Sequence, residues 1–162
     1  DILRSLHAKG EDFFRFVFVR NPVDRLVSCY LDRVLSPGSV PHRVVKRALG
    51  VEGPQDIKFA DFVAVVADQS VREMNPHWRP VYNEACCASV TYDAVLKFEN
   101  LQAELRTLLE RLFPQIADSI DLARNLSPAK TRAKERAADF ITPELKTKIE
   151  AIYAKDYEAF GY

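Results

Sequence analysis

Apolar and polar positions along this chain fall into two periods, and each change of period marks an element. The run Phe16-Val17-Phe18-Val19 is continuously apolar, aromatic and β-branched, which predicts a strand buried on both faces. In Arg20-Asn21-Pro22, Asn21 is a good N-cap and Pro22 stands at the first helical position. From Val23 the apolar residues fall at 23, 26, 27, 30, 31 and 34, one stripe of a helix. Ser36-Pro37-Gly38-Ser39 breaks that helix. Val44, Val45, Ala48 and Leu49 predict a short one stopped by Gly50, and Gly53-Pro54 marks a turn. Phe59, Phe62, Val63, Val66 and Ala67 predict a packed helix over 58–68.

Residues 72–91 have no clear period. A second buried strand, 94–98, then feeds a helix with Leu101, Leu105, Leu108, Leu109 and Leu112 on one face, ending near Phe113-Pro114. Thr142 and Pro143 open the last helix, whose buried face is Leu145, Ile149, Ile152, Tyr153 and Phe160. Ile2–His7 is a further helix candidate, with His7 exposed. The alternation of strand and helix predicts an α/β domain, helix-rich around a small parallel sheet.

The polar positions carry the chemistry. Asn21, Arg25, Ser28 and Asp32 are spaced by four, three and four residues and form a second stripe on the first helix. Arg20 stands at the carboxyl end of the strand, where open α/β sheets bind ligands and where free N–H groups and the helix dipole favour an anion. Ser28 lies roughly 10 Å along the helix from Asn21 at about 1.5 Å per residue. A guanidinium from Arg20 and a hydroxyl from Ser28 could thus hold one phosphate beside the first two turns. Asn75-Pro76-His77-Trp78-Arg79-Pro80 is a loop of functional composition. Its plain reading seats Trp78 at the core edge and leaves His77 in water. Glu99 suits the dipole at the start of the helix that follows it.

Length and composition then set bounds. The 162 residues make one domain, 1–162, able to bury about 70% of its unfolded surface. With 48% apolar and 28% charged residues the chain is ordinary for a globular protein, and 23 basic residues balance 23 acidic ones. That balance lacks the electrostatic footprint of a nucleic-acid binder, while leaving room for a local anion pocket. No apolar run reaches the ~20 residues of a membrane span, and no signal peptide is visible. Cys29, Cys86 and Cys87 are too few for a disulfide scaffold and lack zinc-ligand spacing, so free thiols in a reducing cytoplasm are expected.

Arg20-Asn21-Pro22-x-x-Arg25-x-x-Ser28 resembles the 3′-phosphate-binding segment of sulfotransferases, in particular the carbohydrate sulfotransferase group of the family 2 type. These enzymes use 3′-phosphoadenosine-5′-phosphosulfate (PAPS). Further stretches resemble the family in order: His77-Trp78-x-Pro80; Tyr92-Asp93, an apolar strand, then Lys97-Phe98-Glu99; and the terminus Tyr153-x-x-Asp156-Tyr157-x-x-Phe160-Gly161-Tyr162. The resemblance implies a P-loop-NTPase-like sulfotransferase fold and sulfuryl transfer from PAPS to a carbohydrate hydroxyl without a metal. It implies that Arg20 and Ser28 grip the 3′-phosphate, with Arg25 beside them. A family loop that closes over the nucleotide corresponds to the basic stretch Lys130, Arg132, Lys134 and Arg136, from which Arg132 is drawn. That stretch follows Asn125-Leu126-Ser127, a glycosylation sequon whose following Pro128 argues against use. Read without the resemblance, the basic stretch is a solvated face.

A base must take the acceptor proton. His77 is the first candidate because histidine has an unperturbed pKa of about 6.5, and Glu73 and Glu99 follow. The family's Lys-x-Gly-x-[Ser/Thr] loop for the 5′-phosphosulfate is not found in the sequence. Two confident strands are also few for a stable sheet. Both points suggest a domain lacking its first strand and loop, as a fragment or as an enzyme that has shed half its donor site. A Golgi lumen is the alternative compartment. Two other classes stay open: a non-catalytic module for a 3′-phosphorylated nucleotide or sulfated glycan, and another nucleotide-dependent transferase.

Overall fold

The computed structural model describes residues 13–52, 56–122 and 133–162. The helix expected at Ile2–His7, the turn at Gly53-Pro54 and Asn125-Leu126-Ser127 lie outside the described residues.

Phe16–Val19 forms β1 and Ala94–Lys97 forms β2; they pair in parallel from Phe16↔Ala94 to Val19↔Lys97. Asp93 fixes where pairing starts. The Arg15 N–H donates to Asp93 Oδ2 at 2.7 Å, and the Asp93 N–H donates to the Arg15 carbonyl, also at 2.7 Å. A parallel pair requires a long crossover, and the intervening chain supplies it as helices. These are α1 (Pro22–Cys29), α2 (Val40–Leu49), α3 (Phe59–Asp68) and the one-turn α4 (Val81–Glu84). After β2 come α5 (Leu101–Leu112), α6 (Ala133–Phe140), α7 (Pro143–Ile152) and α8 (Ala154–Phe160). The architecture is a helix-rich α/β arrangement around a small parallel two-stranded sheet among the described residues.

Local chemistry accounts for the element ends. Asn21 caps α1 with its side chain, and Tyr30–Val34 continues that helix as a π-helical turn. α2 starts earlier than the apolar period suggests, because the Ser39 side chain accepts the His42 N–H and Pro41 sits in the first turn. It stops at Gly50, whose φ of 65° is the left-handed cap glycine supplies without strain.

The core lies between the helices rather than on the sheet. Leu26, Val27, Tyr30 and Val34 from α1 and its extension pack with Val45, Phe59, Phe62, Val63, Val66, Trp78, Ile149 and Tyr153. Trp78 is fully buried, not at the edge, with its indole edge-to-face against Phe62 at 5.4 Å. Its Nε1–H donates to Gln69 Oε1 at 2.9 Å.

β1 corrects an expectation. Phe16 and Phe18 remain 44% and 43% exposed, so the strand is not buried on both faces; only Val19 is fully covered. An unbroken apolar run signals burial only if layers exist on both sides, and the helices of this core cover one end of the strand. The last helix also differs. It breaks at Tyr153 (φ −106°, ψ 22°) into α7 and α8.

That break lets two side chains reach the 72–91 segment. The Tyr153 hydroxyl donates to the Trp78 carbonyl at 2.6 Å. The buried Asp156 accepts the N–H groups of Val81 at 2.9 Å and Tyr82 at 2.8 Å, which satisfies the start of α4. Burial pushes the Asp156 carboxyl above its ordinary range, while these N–H donors and the Arg25 charge pull it back. Removing either partner strands buried backbone groups. Tyr153→Phe should therefore cost about 1–3 kcal/mol, and Asp156→Ala more, because it strips two donors. Urea unfolding checks this, and two variants within about 0.5 kcal/mol of wild type would contradict the anchoring role.

Candidate active site

The parallel register continues past the strands as side-chain contacts. β1 and β2 pair at a separation of 78 residues, and the next two pairs keep it. Arg20 stacks its guanidinium over Phe98, 5.2 Å from the ring centroid, a cation–π contact that keeps its charge at the surface. The Asn21 N–H then donates to Glu99 Oε1 at 2.6 Å. Sequence placed Glu99 at the start of its own helix; it serves the helix of the other strand. Its second oxygen accepts the Tyr162 hydroxyl at 3.1 Å. Lys97 completes the group, donating to the Gly161 carbonyl at 2.9 Å and lying 4.6 Å from the centroid of the Tyr162 ring. Burial and the Glu99 carboxylate push the Tyr162 phenol up, and Arg20 pulls it the other way.

This geometry corrects the picture of free N–H groups at the helix start. Asn21 Oδ1 accepts the N–H of Val23 at 3.0 Å and of Asp24 at 3.3 Å, Pro22 has no N–H, and Glu99 takes that of Asn21. The first-turn donors are engaged within the protein.

The other expected residues are placed as follows. Ser28 is half-buried on α1, on the stripe that begins at Asn21. Arg25, on the same stripe, donates to the Pro76 carbonyl at 3.2 Å and so brings the His77 loop alongside α1. His77 is exposed. Its Nδ1 lies 2.7 Å from Asn75 Oδ1, which also accepts the His77 backbone N–H at 3.0 Å. Because that oxygen can only accept, Nδ1 carries the hydrogen, and Nε2 of the neutral ring points outward as an acceptor. Glu73 is exposed and accepts both the N–H and the hydroxyl of Ser70, at 2.8 and 2.6 Å. These bonds hold its carboxyl below the ordinary range, which makes it a poor base. Arg132 lies outside the described residues.

Sequence reasoning gave no role to Asp156, Lys97 or Tyr162. A signal for Asp156 was present: Ile149, Tyr153, Asp156 and Phe160 are spaced four, three and four, so a carboxylate stands on an apolar stripe. Lys97 and Tyr162 stood in the family-like stretches, but their meeting depends on how residues 161–162 dock, which local pattern does not show.

An open cleft of about 680 Å³ runs from the first turn of α1 to the C-terminal helices, lined among others by Asn21, Asp24, Lys146, Glu150, Tyr157 and Tyr162. This volume suits a nucleotide-sized or sugar-sized ligand. A second groove, about 400 Å³ between β2 and α5, has a mainly apolar lining, and neither space is lined by Arg20, Arg25, Ser28 or His77. Among the described residues no cluster of three His, Cys, Asp or Glu is arranged to hold a metal, and no helix is long and apolar enough to cross a membrane.

Comparison with known proteins identifies relatives by sequence. The chain is 32% identical over 108 residues to carbohydrate sulfotransferase 14 of Mus musculus, covering 62% of this chain and 29% of the relative. It is 28% identical to the Danio rerio protein of that name, covering 93% and 44%. Carbohydrate sulfotransferase 11 of Mus musculus is 24% identical, covering 98% and 49%. The chain thus spans less than half the length of these relatives. No solved structure gives a significant match.

The relatives overturn the cytoplasmic expectation, because carbohydrate sulfotransferases of this family are Golgi-type enzymes; a Golgi lumen agrees with them. That expectation rested on unpaired thiols, which do not identify a compartment. Cys29 is buried and its thiol is pushed up to about 12 by that burial, so it is inert wherever the protein resides. The family model described as "Sulfotransferase family" matches residues 3–162, and the chain belongs to that family.

Proposed function

We propose that the protein transfers a sulfuryl group from PAPS to a hydroxyl of a carbohydrate acceptor, using a single P-loop-like sulfotransferase domain. Family membership and relatives named as carbohydrate sulfotransferases support the reaction class. The observation that carries the donor assignment is the placement of Arg20. Its guanidinium is held over Phe98 at the carboxyl end of β1, beside a helix whose stripe bears Ser28. A fixed fork of donors and a short hydroxyl suit a phosphate monoester, and the 3′-phosphate is the group that separates this donor from ordinary adenine nucleotides.

In the reaction the acceptor oxygen forms a bond to sulfur as the bond between sulfur and the 5′-phosphate oxygen breaks. 3′,5′-Bisphosphoadenosine leaves, and the acceptor proton passes to a base. His77 is assigned that role. Its Nδ1–H is fixed on Asn75, its Nε2 faces out, and Arg25 ties its loop to the helix that carries the phosphate-binding stripe. The trigonal sulfuryl group gathers charge in transit, so oriented cations and N–H donors supply most of the catalysis. The sequence has no Lys-x-Gly-x-[Ser/Thr] motif, and the 5′-phosphosulfate is assigned to no residue of this chain.

Two outcomes are expected. 3′,5′-Bisphosphoadenosine should bind about tenfold or more tightly than 5′-AMP, since a charge-assisted bond at a partly buried site contributes roughly 1.5–3 kcal/mol. Arg20→Ala should erase most of that preference, and Ser28→Ala a smaller part. Equal affinities for the two nucleotides in wild-type calorimetry would remove the donor assignment. In a sulfate-transfer assay with a carbohydrate acceptor, on a form of the protein that carries a 5′-phosphosulfate-binding loop (the 162 residues alone are expected to be inactive), His77→Ala should lower kcat by about 10²–10⁴-fold and leave nucleotide affinity unchanged. A variant with wild-type kcat would eliminate His77 as the base.

A further inference from the structure

The side-chain contacts beyond the strand ends carry more than stability. The turn that follows β2 contributes two neighbouring residues, Phe98 and Glu99, and each meets the residue of the β1 loop that the continued sheet register assigns to it. Phe98 lies under the Arg20 guanidinium, and Glu99 takes the Asn21 N–H. Both Glu99 oxygens are engaged, Oε1 at 2.6 Å by Asn21 and Oε2 at 3.1 Å by the Tyr162 hydroxyl, so the carboxylate cannot rotate without breaking a bond. Tyr162 is fixed in turn by Lys97, which lies over its ring and bonds the neighbouring Gly161 carbonyl. The chain from Lys97 through Tyr162 and Glu99 to Asn21 closes on the loop that carries Arg20.

We propose that Glu99 is a positioning residue for 3′-phosphate recognition: held by Tyr162, it fixes the Arg20-Asn21 loop so that Arg20 presents its guanidinium in one orientation. The proposal rests on the assignment of Arg20 to the 3′-phosphate. A carboxylate this near an incoming phosphate is unfavourable as a charge, so its value lies in the geometry it imposes. Glu99 also occupies the Asn21 N–H at the start of α1, which keeps a bound anion off the helix end and leaves its recognition to Arg20 and Ser28. Glu99 touches neither donor nor acceptor; it acts through the loop.

The test is the ratio of affinities for 3′,5′-bisphosphoadenosine and 5′-AMP, measured by calorimetry on the whole chain. A general loss of stability weakens both nucleotides alike and leaves that ratio unmoved. Glu99→Ala should reduce the ratio by about tenfold, the effect of misplacing an oriented donor. Glu99→Asp, too short to span Asn21 and Tyr162, should reduce it as well, and Tyr162→Phe by a smaller factor. Glu99→Gln keeps an oxygen for the Asn21 N–H and should retain most of the ratio. The conservative variant thus separates position from charge: relief of repulsion alone would raise affinity for the bisphosphate equally in Glu99→Ala and Glu99→Gln, and that result overturns the proposal. A wild-type ratio that Arg20→Ala erases but Glu99→Ala and Glu99→Asp leave intact overturns the positioning role while sparing the phosphate assignment. A wild-type ratio of one overturns both.

Discussion

The burial of one loop tryptophan organises the helical part of this molecule. Trp78 comes from a segment without periodic pattern, yet it sits fully inside the core against Phe62, with its indole N–H on Gln69. A loop that inserts so large a side chain must also satisfy its own backbone. The C-terminal helices do that. Tyr153 takes the Trp78 carbonyl, and Asp156 takes the two N–H groups that begin α4. Arg79 binds the carbonyls of Val71 and Met74 from within the loop. His77 is therefore exposed on a segment held from several sides, an arrangement that can aim a reactive ring while leaving it wet.

The carboxyl ends of the strands follow a different logic. Helix N-termini commonly bind phosphate through free N–H groups, but here those of α1 are engaged by Asn21 itself and by Glu99. The proposed donor assignment therefore depends on the Arg20 side chain over Phe98. Side-chain recognition of this kind separates a 3′-phosphorylated nucleotide from its unphosphorylated relative, because it adds an oriented charge at one point rather than a general attraction to anions.

The two regions meet through α1. Its apolar side enters the core with Leu26, Val27 and Tyr30, and its polar stripe links Asn21 at the strand end to Arg25 at the His77 loop. One helix thus sets the relation between the strand end that carries Arg20 and the loop that carries His77. Gly161 and Tyr162, which follow α8, join the same unit through Lys97 and Glu99.

Local pattern determined much of this by itself. The strand at Phe16–Val19, the cap at Asn21, the stop at Gly50, the helix at Phe59–Asp68 and the cap at Thr142 each depend on neighbours in sequence, and each appears where the pattern places it. The Asn21, Arg25 and Ser28 spacing was legible for the same reason, since a helix converts spacing into a face. Tertiary structure decided the rest. The exposure of Phe16 and Phe18 depends on which layers cover the sheet, and an apolar run looks the same whether or not it is covered. The break at Tyr153 follows from where Trp78 and α4 lie, not from the residues around it. Glu99 was readable as a partner of its own helix or as a candidate base but not as a partner of Asn21, because that bond is to a residue 78 positions away, brought within reach by the parallel register.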